Sequence, residues 1–336
     1  MQIASMTKQV VAVAALQLIE QDKLSLEDLV EDYLPSWKNI SVLQGFDSVC
    51  GEPILRQPKT KATILNLFTH TSGLAYWFLT DSINTWRLWS EKQQVKPDEP
   101  LAADPGTGYF YGESIDTLGY VIEAISGQGL DEYIQANIFR PLGIKNSGLI
   151  TPDIWTHYRY PNGTIVLTSP PTPIGPEGVA FGGGYLISTL DDYSTFLLTL
   201  LNWGTHPLSG VTLLKSSTVR RIVFADLIPK AITVPDSERT GEPVGAWKSN
   251  NQSYSLSLDF LPGIKKGWSG SLLINLEDVE GRRRKGSGAW AGIFNTFYWV
   301  DLWSGKLGVI FTNLMPFLDG EVLGLFDRLE EFVYSG

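Results

Sequence analysis

The chain has almost no cysteine and few histidines. Cys50 is the one cysteine in 336 residues, which excludes an internal disulfide and a cysteine-rich zinc site. With only three histidines and no Gly-x-Ser-x-Gly elbow, the sequence also argues against a serine–histidine–aspartate hydrolase. We expect neither a metal nor a cofactor.

Basic residues and long apolar runs are scarce as well. Lys and Arg number 26 against 36 Asp and Glu, a formal net charge of -10, so the composition argues against a nucleic-acid partner. No apolar segment approaches the roughly 20 residues of a membrane helix, and no charged region precedes an apolar one at the N-terminus. These features predict a soluble, unsecreted, cytoplasmic protein without a membrane partner.

Aromatic residues, in contrast, are abundant. Eleven tryptophans exceed what an ordinary core requires and predict an aromatic-lined pocket, although a large α/β core can also absorb such residues. The length predicts one large domain or two intimate ones.

The most informative stretch is Ser5-Met6-Thr7-Lys8, which leads into the apolar run 9–19. If the run is a helix, Ser5 and Lys8 share one face at its first turn. A buried lysine can act as the base that a serine nucleophile needs, and a helix N-terminus favours a developing oxyanion. Such a pair arises by chance about once in a chain of this length, and Ser5 alone would be a helix cap. The all-round apolar helix, which predicts burial, favours the catalytic interpretation.

Periodicity predicts further elements along the chain. A capping box at 25–28 precedes a short helix over 29–34, and other helices are expected over 62–68, 130–139 and 321–334. A further helix after Ser114 is closed by Gly127, and Ser188 or Thr189 caps a helix that runs through Leu201. Residues 151–178 read as a surface loop, and the run Gly182-Gly183-Gly184 indicates close backbone packing. Three strands, 267–276, 290–301 and 306–314, predict an antiparallel meander on which the last helix lies. His70, in a turn-rich loop, is expected to be structural.

Five motifs occur in the order typical of one superfamily. They are Ser5-Met6-Thr7-Lys8, His70-Thr71-Ser72-Gly73-Leu74, Pro105-Gly106 with Tyr111, Gly182-Gly183-Gly184, and Gly288-Ala289-Trp290-Ala291-Gly292. Together they resemble the serine β-lactamase and penicillin-binding-protein superfamily, and within it the class C-like esterases and fungal lovastatin-type acyltransferases. The resemblance implies an α/β (α+β) fold of the β-lactamase/transpeptidase type. An antiparallel sheet flanked by helices (1–25 and 185–336) would join a mainly helical subdomain (26–184).

The resemblance also implies site residues and a mechanism. Ser5 would attack the substrate, Lys8 and Tyr111 would share the proton transfers, and the N–H groups of Ser5 and Ile293 would form the oxyanion hole. Trp290 and Gly292 belong to the strand that would run along the substrate.

Two motifs depart from the lactam enzymes. Trp290-Ala291-Gly292 replaces Lys/His-Thr-Gly, and Tyr111 is followed by Gly112-Glu113. Family members also carry several dozen residues before the nucleophile, including two strands, whereas four residues precede Ser5. We therefore expect either that one sheet edge lacks its covering strands or that the sheet is completed in another way.

Three functional hypotheses follow. The first is a serine esterase or acyltransferase of secondary metabolism acting on a small ester, thioester or amide, with an acyl carrier as a candidate partner. The second is a β-lactamase or D-Ala-D-Ala carboxypeptidase. The third is a non-catalytic relative that only binds. The sequence leaves the acyl donor and acceptor open.

Overall fold

A computed structural model describes residues 1–94, 99–149, 155–168 and 179–336. The α-helices of these residues are α1 (Thr7–Glu20), α2 (Val30–Tyr33), α3 (Ile64–Phe68), α4 (Asp81–Gln93), α5 (Ser114–Ser126), α6 (Leu130–Ile134), α7 (Arg140–Leu142), α8 (Leu190–Leu201), α9 (Ser216–Thr218), α10 (Ile228–Ala231) and α11 (Gly320–Tyr334). None of the helices in the described ranges combines the length and the apolar character that crossing a membrane requires.

The strands form one main sheet and several small ones. The strands are β1 (Val42–Phe46), β2 (Pro53–Arg56), β3 (Gly108–Tyr109), β4 (His157–Arg159), β5 (Ile165–Leu167), β6 (Thr240–Gly241), β7 (Ala246–Trp247), β8 (Leu258–Asp259), β9 (Lys266–Trp268), β10 (Leu273–Asn275), β11 (Gly288–Gly292), β12 (Thr296–Asp301), β13 (Lys306–Ile310) and β14 (Leu314–Met315). The main sheet has the order β13-β12-β11-β10-β9 and every pairing is antiparallel. It therefore places β11 at its centre and β13 at one edge.

The meander was predicted with three strands and has five. The predicted strand 267–276 breaks at a turn in which the Ser269 N–H donates to the Leu272 carbonyl and Ser271 has a φ of 82°. The predicted strand 290–301 breaks at Asn295, whose φ is 58°. A positive φ reverses the chain, so an apolar pattern that continues through it overestimates strand length. The third predicted strand, 306–314, ends at Ile310 in the structure. Leu314 belongs to a separate strand, β14, which pairs with β4.

Helix α1 forms the centre of the core, as its apolar sequence predicts. Residues Thr7 to Leu16 are all buried, and α5 packs against this helix. The end of α5 is confirmed at Gly127, which takes the left-handed conformation of a C-cap with a φ of 69°. Of the two predicted caps of α8, Ser188 and Thr189, the structure uses Thr189, whose side chain accepts a hydrogen bond from the Asp192 N–H.

The last helix covers the main sheet, as predicted. The ring of Phe326 on α11 lies 5.3 Å from the rings of both Phe297 and Trp299 on β12. At its far end, Glu330 forms a fully buried ion pair with Arg283, at 2.6 Å, in the loop before β11. The apolar side of α11 and this ion pair together fix the helix on the sheet.

Two local predictions were wrong. No capping box starts α2, because the residue before its first turn is Leu29; the reciprocal box lies instead at Thr63 and Asn66, at the start of α3. The predicted loop 151–178 contains a hairpin of β4 and β5 in its described part, and the rest lies outside the described residues. The predicted helix 130–139 is present, with its second half, Gln135–Phe139, wound as a π-helix.

Candidate active site

Ser5 lies in a tight turn that leads into α1. The turn is a 3₁₀ helix over Ala4–Met6, and Ala4 has a φ of 45°. A non-glycine residue in this region carries backbone strain, which is concentrated at functional sites. The helix begins at Thr7 and no side chain caps it. The alternative interpretation of Ser5 as a helix cap is therefore wrong.

Lys8 is fully buried one turn further on, and its side-chain nitrogen has three partners. Nζ lies 2.9 Å from Ser5 Oγ, 3.0 Å from Tyr76 Oη and 2.7 Å from the carbonyl oxygen of Gly183. The structure thus brings Ser5 and Lys8 together, as their spacing predicts, and adds a tyrosine that the sequence analysis missed.

The turn after the His70-to-Leu74 motif carries Tyr76. Its N–H donates to the carbonyl oxygen of Tyr111 at 3.1 Å, which joins two loops that are distant in sequence. Burial raises the pKa of the Tyr76 phenol well above its usual value, and Asp116, Tyr111 and Glu113 add to the rise. The sequence offered one signal for Tyr76, its position two residues after the motif, but no residue pattern distinguishes a site tyrosine there from an aromatic residue of the core.

The hydroxyl of Tyr111 makes a different contact from the one that the resemblance implies. Tyr111 Oη accepts a hydrogen bond of 2.9 Å from the indole N–H of Trp290. Lys8 Nζ lies 5.0 Å from the centre of the Tyr111 ring, a cation–π distance. No hydrogen bond among the described residues joins Tyr111 to Ser5 or Lys8.

Strand β11 forms one side of the site. Trp290, Ala291 and Ile293 line the same cavity as Ser5, whereas Gly292 does not. A Cβ on Gly292 would lie 2.3 Å from the carbonyl oxygen of Ile3, so the strand packs directly against the nucleophile turn at this point. Outside helices and strands, no backbone hydrogen bond in the described chain uses the N–H of Ser5 or Ile293. An oxyanion hole requires N–H groups that can point at the substrate, and these contacts agree with that role for both residues.

His70 packs against the loop that carries Tyr111 and Gly112. It is completely buried, and its ring centre lies 4.7 Å from that of Tyr111. Its Nδ1 accepts a long hydrogen bond, 3.4 Å, from the N–H of Gly112. Burial and the nearby Lys8 charge lower the pKa of His70 well below its usual value, so the imidazole is neutral. These contacts agree with the predicted structural role.

The glycine run packs closely, as predicted, and also contacts Lys8. A Cβ on Gly182 would lie 2.2 Å from the carbonyl oxygen of Ile115 on α5. The N–H of Gly183 donates to Asp116 at 2.9 Å, while its carbonyl oxygen accepts from Lys8. The run therefore joins α5 to the lysine.

Ser5 opens into a cavity of about 800 Å³, which we call the Ser5 cavity. Much of its wall is aromatic and includes Tyr76, Trp77, Phe78, Trp247, Tyr254 and Trp290. This agrees with the aromatic-lined pocket that the tryptophan content predicts. In the described ranges, no three His, Cys, Asp or Glu side chains converge as a metal site requires.

Among the described residues that line the Ser5 cavity, the two with ionisable carboxyl groups are the ones that can carry a formal charge near neutral pH. Glu113 and Asp116 line it, and none of its lining residues in the described chain is Lys, Arg or His. Solvent reaches Glu113 through the cavity, yet desolvation and then repulsion from Asp116 raise its pKa to about 7. Burial also raises the pKa of Asp116, while Lys8 opposes the rise. When these carboxyl groups are ionised, they repel an anionic ligand.

Comparison with known proteins settles the family. A family model described as Beta-lactamase matches residues 1–329. The chain belongs to the Beta-lactamase family. Similar members include a monacolin J acid methylbutanoyltransferase from Aspergillus terreus, 28% identical over 351 residues, which cover 99% of this chain and 81% of that protein. A lovastatin esterase from Penicillium rubens is 29% identical over 343 residues, covering 96% and 81%.

A solved structure, together with the family model, confirms the predicted fold. A mutant of simvastatin synthase from Aspergillus terreus matches with a TM-score of 0.82 at 28% identity, covering 99% of this chain and 80% of that one. The predicted superfamily and its acyltransferase and esterase branch are confirmed, as is the enzyme class, a serine hydrolase or acyltransferase.

Proposed function

We propose that this enzyme of secondary metabolism transfers the acyl group of a small ester or thioester through an acyl-enzyme at Ser5, either to water or to an alcohol. One observation carries the proposal: Ser5 Oγ lies 2.9 Å from the nitrogen of the buried Lys8 and opens into a cavity large enough for a small molecule. A serine in contact with a base and with substrate space is the arrangement that acyl transfer requires.

The proposed roles are as follows. Ser5 is the nucleophile, Lys8 takes its proton, and the N–H groups of Ser5 and Ile293 stabilise the oxyanion. Trp290 forms part of the wall against which the acyl group lies. A role of Tyr111 in proton transfer stays a prediction, supported by its place in the wall of the same cavity.

The charge of the cavity supports an uncharged substrate. A carboxylate that enters the cavity meets Glu113 and Asp116 and finds no cation among the described lining residues. An unpaired carboxylate costs several kcal/mol to bury. Penicillins carry such a group, which disfavours the lactamase alternative. Two similar proteins carry an acid or a carboxylate in their names, the monacolin J acid methylbutanoyltransferase and an ML-236A carboxylate methylbutanoyltransferase from Penicillium citrinum. We propose that the acceptor here is instead uncharged. An acyl carrier as donor stays a prediction.

Labelling with a fluorophosphonate probe tests this function. The wild-type chain should be labelled and Ser5→Ala should not. Ser209→Ala is the matched control, because Ser209 Oγ also lies beside a base, 3.0 Å from His206 Nδ1, but does not line the Ser5 cavity. Failure to label the wild type would instead favour a protein that only binds.

A further inference from the structure

Asp116 lies in the first turn of α5 and in the wall of the Ser5 cavity. We propose that Asp116 is a positioning residue for Lys8. It fixes Gly183, and the carbonyl oxygen of Gly183 holds the lysine in the orientation in which it takes the proton of Ser5. The inference rests on the proposed function, since it concerns the base of the same acyl transfer.

Two hydrogen bonds connect Asp116 to Lys8 through one glycine. Asp116 Oδ1 accepts the N–H of Gly183 at 2.9 Å, and the carbonyl oxygen of Gly183 accepts a hydrogen bond from Lys8 Nζ at 2.7 Å. The contact with Gly183 is shorter than the contacts of Nζ with Ser5, at 2.9 Å, and with Tyr76, at 3.0 Å. A displacement of Gly183 is therefore passed directly to the amine.

Gly183 orients the neutral amine of Lys8, the form that acts as a base. A carbonyl oxygen only accepts hydrogen bonds, so it must face an N–H of the amine and cannot face its lone pair. A neutral amine then has one N–H and one lone pair left for Ser5 and Tyr76. Both of these hydroxyl groups can donate and accept. When Tyr76 accepts the second N–H, the lone pair points at the Ser5 hydroxyl and can take its proton.

The packing of the Asp116 carboxyl group explains why position 183 is a glycine. A Cβ on Gly183 would lie 2.3 Å from Asp116 Oδ2 and 2.8 Å from Oδ1, so the carboxyl group occupies the space of a side chain. The φ of Gly183 lies outside the left-handed region, so the backbone conformation alone does not require glycine there. The glycine therefore serves the close contact with Asp116.

The nucleophile turn and α1 hold the same segment from its other side. The N–H of Leu186 donates to Thr7 Oγ1 at 3.2 Å, and the N–H of Ile3 donates to the Leu186 carbonyl oxygen at 3.0 Å. These bonds fix the segment three residues beyond Gly183. The restraint at Gly183 itself comes from Asp116, which accepts its N–H. Asp116 thus acts at the residue whose carbonyl oxygen faces Lys8.

The test compares two variants of similar shape, Asp116→Leu and Asp116→Asn. Leucine cannot accept the Gly183 N–H, whereas asparagine keeps an oxygen that can. The rate at which a fluorophosphonate probe labels Ser5 and the kcat/KM for a p-nitrophenyl ester are measured, each at the optimum pH of the variant. Misplacing a catalytic group by about 1 Å costs about a hundredfold in rate. Asp116→Leu should lose about that much in both measurements, and Asp116→Asn should recover most of the loss.

Asp192→Leu is the matched control for a purely structural role. Asp192 is also partly buried in the first turn of a helix, α8, and accepts the N–H of a distant residue, Asn146, at 2.7 Å. It does not line the Ser5 cavity. Asp192→Leu should lower the melting temperature and keep the labelling rate of the wild type. A loss of labelling as large as that in Asp116→Leu would show an effect of stability alone and would overturn the inference.

The outcomes separate this inference from the proposed function. A labelling rate of Asp116→Leu within about tenfold of the wild type, or an equal loss in Asp116→Asn and Asp116→Leu, would overturn the inference. Both results leave the proposed function intact, because they require that the wild type is labelled. A wild type that is not labelled, or labelling that persists in Ser5→Ala, would overturn the proposed function instead.

Gly183→Ala keeps the inference testable if Asp116→Leu does not fold. The added methyl group would lie 2.3 Å from Asp116 Oδ2, so either the carboxyl group or residue 183 must move. The labelling rate should again fall by about a hundredfold. Gly129→Ala, where a Cβ has nothing within 4 Å, should keep the wild-type rate. A rate of Gly183→Ala within about tenfold of the wild type would contradict the role of Asp116.

Discussion

Gly292 packs closely against the turn that carries Ser5, so we expect the substitution Gly292→Ala to lower both activity and stability. In Gly292→Ala the new Cβ would lie 2.3 Å from the Ile3 carbonyl oxygen and 2.4 Å from Thr296 Oγ1, whereas ordinary contacts begin at 3.4 Å. The turn that carries Ser5 must therefore move by about 1 Å, and a shift of that size costs about a hundredfold in rate. Overpacking of this kind also costs about 1–3 kcal/mol in free energy of unfolding.

The assay is kcat/KM for a p-nitrophenyl ester, together with the melting temperature. Gly129→Ala is the matched control, because a Cβ there has nothing within 4 Å. We expect a loss of about a hundredfold for Gly292→Ala and wild-type activity for the control. If Gly292→Ala kept its activity within about twofold of the wild type, β11 would not position the nucleophile as we argue.

Three further predictions concern the Ser5 cavity. Ser5→Ala and Lys8→Ala should each lower kcat/KM by several powers of ten, and the double variant should lose little more than either single variant. If the loss of the double variant equalled the product of the two single losses, the two residues would not act in one step. The ratio of kcat/KM for a p-nitrophenyl ester to that for nitrocefin should exceed one, because nitrocefin brings an unpaired carboxylate; a ratio below one would favour the lactamase alternative. Glu113→Gln should raise the melting temperature at pH 8 but not at pH 4. Folding raises the pKa of Glu113 from 4.5 to about 7, so the stability of the wild type falls as the pH rises between these values, and the variant, which cannot ionise, avoids that loss. Exposed Glu331→Gln is its control, and an equal shift at both pH values would refute the argument.

Local patterns predicted the elements of the core well. The apolar run after Lys8 fixed the burial of α1, and the glycine and threonine caps fixed the ends of α5 and α8. The strand breaks at Ser271 and Asn295 could not be predicted, because neither residue type requires a positive φ. The proposed division into 1–25 with 185–336 and 26–184 stays a prediction, although α1 and α5 pack together across it.

The site was predictable only where its residues are close in sequence. Spacing alone placed Ser5 beside Lys8. Tyr76 reaches Lys8 through a separation of 68 residues, and its contact depends on how two loops pack. The hydrogen bond between Trp290 and Tyr111 spans 179 residues. No local pattern reports such contacts, because they depend on how segments that are distant in the sequence pack together.

The central claim, an acyl-enzyme on Ser5, is tested most directly by mass spectrometry of the intact chain after incubation with a panel of neutral esters and thioesters, followed by peptide mapping. The account predicts the addition of one acyl group per chain, located on the peptide that contains Ser5 and absent from Ser5→Ala. An acyl group found on another residue, or retained in Ser5→Ala, would contradict it.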